Sequence, residues 1–106
     1  MEEYRAVKGY EGLYEVSSHG DVRNVKTGRS LAKSLTSNKY YKVKVCKDRV
    51  ITTVRVHRLV AEAFIINPCE YDCVDHRDED RLNNHYTNLR WCTQTMNINY
   101  YWHKRK

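Results

Sequence analysis

The run Cys73-Val74-Asp75-His76-Arg77-Asp78-Glu79-Asp80-Arg81-Leu82-Asn83-Asn84-His85-Tyr86-Thr87-Asn88-Leu89-Arg90-Trp91-Cys92 reads as two brief extended segments, 73–76 and 88–92, joined by an eleven-residue polar loop over 77–87. The loop is dense in Asp and Asn, whose short polar side chains bond nearby backbone and favour turns over regular structure. Short runs bounded by such a cluster read as strands. Thr93 then offers an N-cap for a terminal helix carrying Met96, Asn97 and the Tyr100-Tyr101 pair. The last third is therefore strand, long loop, strand, helix.

Toward the N-terminus the period changes. Val56, Leu59, Val60, Ala63 and Phe64 recur at helical spacing, so 57–65 is expected as a short amphipathic helix stopped by Asn67-Pro68. Before it, residues 40–46 alternate, with Tyr41, Val43 and Val45 on one face and Lys42 and Lys44 on the other. Residues 50–56 alternate too, with Val50, Thr52, Val54 and Val56 in phase. The link Lys47-Asp48-Arg49 between them predicts a hairpin, apolar on one side and basic on the other. Residues 9–31 read as short strands separated by turns at Ser18-His19-Gly20-Asp21 and Lys26-Thr27-Gly28. The expected class is α+β: a small basic N-terminal β-sheet with a short helix, packed on the C-terminal strand–loop–strand–helix unit.

A chain of 106 residues fits one compact domain or two very small ones. No apolar run approaches the ~18–20 residues that cross a bilayer, and no apolar leader follows Met1-Glu2-Glu3. A soluble, cytoplasmic (intracellular) chain with no membrane partner is the expectation. Nine Tyr against one Phe suit a thin core lying close to water or to a polar ligand. The net charge is +6, but residues 21–58 alone hold 11 Lys/Arg against 2 Asp/Glu, a local net of +9. Such density points to a polyanion, because Lys and Arg gain affinity by releasing phosphate counterions. The plainer reading is a solvated, solubilising face.

Asp75 and His76 close the first strand of the last third, and Asn97 follows 22 residues after Asp75. If the strands pair and the helix folds across them, a carboxylate and an amide oxygen meet. Two hard oxygen donors with water suit a divalent cation such as Mg²⁺ or Mn²⁺. An adjacent imidazole outside the coordination shell can take a proton from water. A phosphodiester bridging the cation is then open to hydrolysis, since the cation offsets charge growing on the phosphorus oxygens. Residue by residue, plainer readings stand: an Asp-His pair at a strand end forms hydrogen-bonded turns, and an Asn on a helix caps it or faces solvent.

Taken whole, the string from Val74 to Thr93 followed by Asn97 closely resembles the core of the HNH (His-Asn-His) homing endonucleases. Val56-His57-Arg58-Leu59-Val60-Ala61-Glu62-Ala63-Phe64 with Asn67-Pro68 resembles the segment leading into that core. Gly9-Tyr10-Glu11-Gly12-Leu13-Tyr14-Glu15-Val16-Ser17-Ser18-His19-Gly20-Asp21-Val22-Arg23 is similar to the nuclease-associated modular domain often fused in front. The resemblance implies a ββα-metal fold, with 1–50 as the modular DNA-contacting β region and 51–106 as the nuclease domain. It implies metal-dependent hydrolysis of double-stranded DNA, by nicking or cutting, to 5′-phosphate and 3′-hydroxyl ends, in a phage or mobile-element setting. His76 would be the general base, Asp75 and Asn97 would hold one Mg²⁺ or Mn²⁺, and Asn88 would brace the loop and orient His76. Where relatives commonly have Asp-Gly-Asn, this chain has Asp78-Glu79-Asp80, which adds negative charge beside the site. A non-catalytic nucleic-acid-binding module and a nonspecific nuclease are the alternatives on the same scaffold.

Lys42, Lys44, Arg55 and Arg58 are candidate phosphate contacts on the basic sheet. Arg90 is open between a phosphate contact and a pairing with the acidic loop. His85 is the competing base, read as bracing the loop; His57 is read as packing or capping, and Asn83 and Asn84 as Asx-turn residues. Cys46, Cys69, Cys73 and Cys92 contain one close pair, Cys-x₃-Cys, so structural Zn²⁺ is the less favoured reading. Double-stranded DNA is the expected partner, with a homodimer as a further option.

Overall fold

The computed structural model describes residues 2–93; Asn97 and the expected terminal helix lie outside the described residues. Among the described residues, three small antiparallel sheets gather around one helix. Strands β1 (Tyr4–Ala6), β2 (Tyr14–Ser17) and β3 (Val22–Asn24) form a meander in that order. Strands β4 (Ser34–Leu35), β5 (Tyr41–Lys47) and β6 (Val50–Arg55) form a second one. Helix α1 (Val56–Phe64) follows β6 without a break, and β7 (Cys73–His76) pairs with β8 (Leu89–Cys92) as a hairpin. A single 3₁₀ turn at Tyr86–Asn88 ends the long loop.

The β5–β6 hairpin closes through two residues, Asp48 (φ 52°) and Arg49 (φ 66°), with Lys47 opposite Val50. Two successive positive φ angles make a primed turn, whose twist matches that of the strands it joins. The register sets Lys42 opposite Arg55 and Lys44 opposite Thr53. Directly opposed residues share a face, so Lys42, Lys44 and Arg55 line one side of the sheet while Val43 and Val45 are buried on the other. Arg58 lies on the helix that follows, not on the sheet itself. Chain direction changes at Val56, and Arg58 sits on α1, where Nη1 donates to the Asp72 carbonyl at 2.6 Å and the guanidinium lies 5.7 Å from the Trp91 ring.

Helix α1 buries Val56, Leu59, Val60 and Ala61. Its last N–H bond is from Ile65, already extended, to the Ala61 carbonyl at 3.0 Å. One apolar cluster joins all parts: Val7, Tyr14, Val16 and Val22 from the first sheet, Val43 and Val45 from the second, Val56, Leu59 and Val60 from α1, and Leu89 from β8. The modular and nuclease halves expected from sequence thus share a core. Fully buried Val60 illustrates the energetics; truncation to Ala would cost about 2 kcal/mol. Among the described residues no helix is long and apolar enough to cross a membrane.

Candidate active site

The β7–β8 register places Asp75 opposite Arg90 and His76 opposite Leu89. Asp75 and His76 are both buried, at 4% and 3% exposure. A buried carboxylate needs a partner, and Arg90 supplies it: Nε and Nη2 each lie 3.2 Å from Oδ2 of Asp75. Arg90 therefore pairs with Asp75 itself. The cross-strand register, invisible in the sequence, brings the two together. Oδ1 of Asp75 accepts no hydrogen bond from the described residues. A buried carboxylate oxygen with no donor among the described residues fits a hard divalent cation, and Asn97, the second expected ligand, lies outside the described residues.

His76 is held from three sides. Its Nε2 lies 2.8 Å from Oδ1 of Asn84, which is itself 4% exposed. Its ring stands 5.1 Å from His57 and 5.8 Å from Tyr40, and the latter two are stacked at 4.9 Å. Burial, followed by the nearby His76, Arg55 and Arg58, pushes the His57 pKa down to about 3, so this ring is neutral packing. Arg55 and Arg81 each approach the Tyr40 ring, at 5.3 and 5.0 Å. The basic face of the second sheet consequently runs through Arg55 and Tyr40 to His76.

Asn88 works inside the loop. Its Nδ2 donates to Oδ1 of Asp78 (2.9 Å) and to the Asn83 carbonyl (2.9 Å), and its Oδ1 accepts from the Asp78 N–H at 3.1 Å. Asp78 also accepts from Asn83 Nδ2 at 3.0 Å and from the Asp80 N–H at 2.8 Å. These bonds, led by that from Asn83, hold the Asp78 carboxyl below its ordinary range. Asn88 thus ties the two ends of the loop together, and the side chain hydrogen-bonded directly to His76 is that of Asn84. In the sequence Asn84 reads only as a turn residue and Tyr40 only as part of an alternating strand; no spacing rule pairs either with His76. His85 braces the loop as read, its Nδ1 standing 2.8 Å from Oγ1 of Thr87.

The cysteines are spread through the fold. Cys73 and Cys92 are register partners on the hairpin, Cys46 lies on β5, and Cys69 is exposed after α1. Burial, with Asp75 nearby, pushes the Cys92 thiol up. Among the described residues no three His, Cys, Asp or Glu side chains gather as a metal-binding group.

The fold and this hairpin define a class: small mixed sheets around one helix, presenting a buried Asp-His pair at the mouth of an Asn-braced loop. Residues 2–46 match the NUMOD4 motif. The chain is 41% identical over 96 residues to the DNA endonuclease I-HmuI of Bacillus phage SP01, covering 91% of this chain and 55% of that protein. An uncharacterised HNH endonuclease of Acanthamoeba polyphaga mimivirus is 40% identical over 87 residues, 82% of this chain and 26% of that protein. A solved structure describing DNA binding and cleavage by the HNH homing endonuclease I-HmuI superimposes with a TM-score of 0.90 at 38% identity, covering 96% of this chain and 59% of that one. The chain is thus similar, over nearly its whole length, to part of an HNH homing endonuclease, and it carries a NUMOD4 motif at residues 2–46. It spans just over half the length of I-HmuI.

Proposed function

We propose that the chain is a metal-dependent DNA endonuclease of the HNH homing type, acting on double-stranded DNA inside a host cell. The observation that carries this reading is the buried Asp75-His76 pair, reached from a basic sheet face, in a homologue of a phage DNA endonuclease. Asp75 and Asn97 would hold one Mg²⁺ or Mn²⁺, which supplies charge neutralisation at the phosphate. His76 takes a proton from a water molecule, and the water oxygen forms a bond to phosphorus. The bond from phosphorus to O3′ breaks, and O3′ takes a proton from solvent, leaving 5′-phosphate and 3′-hydroxyl ends. Lys42, Lys44 and Arg55 neutralise flanking phosphates from the sheet face. Residues 1–50 act as the DNA-contacting part and 51–106 as the nuclease part, built on the shared core.

The test is relaxation of supercoiled plasmid with Mg²⁺ or Mn²⁺, with chelator as control and the cleaved ends sequenced. Nicking or cutting that requires the metal and disappears in His76→Ala supports the assignment. Metal-independent binding with no cleavage would leave a nucleic-acid-binding module; cleavage at scattered positions would mark a nonspecific nuclease.

A further inference from the structure

The N-terminal motif does more than lead into the hairpin: it is wedged under the loop that carries Asn84. The turn after β2 is tightly tied, with Gly20 N–H donating to the Ser17 carbonyl at 3.1 Å and Ser17 N–H to the Asp21 carbonyl at 2.7 Å. Ser17 Oγ accepts from the backbone of His19 (3.2 Å) and Asp21 (2.9 Å). Gly20 is buried and sits at φ +93°, where a side chain is strained. A Cβ built on it would stand 2.9 Å from the Cβ of Asn84, closer than packed carbon atoms approach. Two residues on, the Tyr86 N–H donates to the Ser18 carbonyl at 2.8 Å, and the His19 and His85 rings meet edge to face at 4.5 Å. Asn84 therefore rests directly on Gly20, and its amide oxygen reaches Nε2 of His76.

We propose that Asn84, seated on Gly20, is a positioning residue that keeps the hydrogen of His76 on Nε2 and leaves the Nδ1 lone pair for the attacking water. This rests on the base role of His76 proposed above. A carbonyl oxygen cannot donate, so the nitrogen that faces it at 2.8 Å must carry the hydrogen. In an imidazole the nitrogen opposite is then the only acceptor. The bond is shielded from water on both sides, since His76 and Asn84 are each less than 5% exposed. The His57 and Tyr40 rings oppose a flip of the His76 ring. The N-terminal motif accordingly completes the active site by fixing its base as well as by any contact with DNA.

The experiment has a structural and a kinetic arm. In ¹⁵N NMR of the metal-free protein, the His76 ring should show a protected Nε2–H and an unprotonated Nδ1 in the wild type and in Asn84→Asp, which keeps an acceptor oxygen. Asn84→Leu should lose that protected signal. On plasmid, Asn84→Leu should lower kcat by about 10–100-fold with KM nearly unchanged, and Asn84→Asp should restore most of it at alkaline pH. Gly20→Ala should lower kcat in the same way. Gly12→Ala, at φ +80° with nothing within 4 Å, shares the backbone strain without the contact and should cleave like the wild type. Wild-type kcat and a protected Nε2–H in Asn84→Leu would overturn the proposal, as would equal effects of Gly20→Ala and Gly12→Ala. Failure of the wild type to cleave at all would refute the nuclease reading instead, while the NMR arm still reports on the Asn84 bond.

Discussion

Two nitrogens of Arg90 converge on one oxygen of Asp75 across the β7–β8 hairpin, both at 3.2 Å, and the other carboxylate oxygen accepts no hydrogen bond from the described residues. The ion pair holds a buried charge in place without using all of its coordinating capacity. Removing the guanidinium would strand that charge. Arg90 is itself partly exposed, which lowers the cost below that of a fully buried pair. The Arg90→Met variant is expected to lose about 2 kcal/mol in urea unfolding. Added Mg²⁺ or Mn²⁺ should restore part of the loss by binding the folded state. Unchanged urea midpoints would show that the pair contributes nothing.

Protonation of His57 should set an acid limb of the stability curve. Its folded pKa is pushed to about 3 by burial and by the neighbouring His76, Arg55 and Arg58. In the unfolded chain a histidine takes its proton near pH ~6.5. Between those values the unfolded state binds more protons, so stability falls as pH falls, by up to about 1.4 kcal/mol per pH unit. The contribution is complete above about pH 6.5, and below about pH 3 no further loss comes from this group. Guanidinium unfolding across this range should show the slope, and His57→Phe should flatten it.

Lys42 faces Arg55 in the β5–β6 register, a like-charge pair directly across two strands. Such pairs are mildly destabilising unless something anionic lies over them. Replacing either with Ala should leave the fold intact and raise its stability by a few tenths of a kcal/mol, roughly. The slope of log K for DNA against log salt should meanwhile shrink by about one unit. A slope equal to that of the wild type would mean that the face is merely hydrated.

Glu79 sits at φ 64°, in the left-handed region that favours glycine, while its N–H bonds the His76 carbonyl at 3.0 Å. Glu79→Gly is expected to gain about 1 kcal/mol in thermal unfolding, because the release of strain exceeds the added freedom of the unfolded chain. A lower melting temperature would show that the Glu79 side chain holds the loop by a contact worth more than the strain.

Much of this architecture was legible along the chain, because it depends on local periodicity. Alternation of Val43 and Val45 with Lys42 and Lys44 marked a two-faced strand, and the helical period, stopped by Asn67-Pro68, marked α1 over 57–65 against the observed Val56–Phe64. The strand–loop–strand order of 73–92 followed from where Asp and Asn cluster, and the Asp75-His76 pair stood out by residue type. These are near-neighbour properties: a side-chain period of two or 3.6 and the turn preference of short polar residues need no knowledge of what packs where. Long-range pairing is a different matter. Arg90 meets Asp75 only once the register of two strands fifteen residues apart is set. Asn84 meets His76 while packed against Gly20 in the turn between β2 and β3, more than sixty residues earlier in the chain. Close packing selects such partners, and its choices are made by shape and burial in three dimensions.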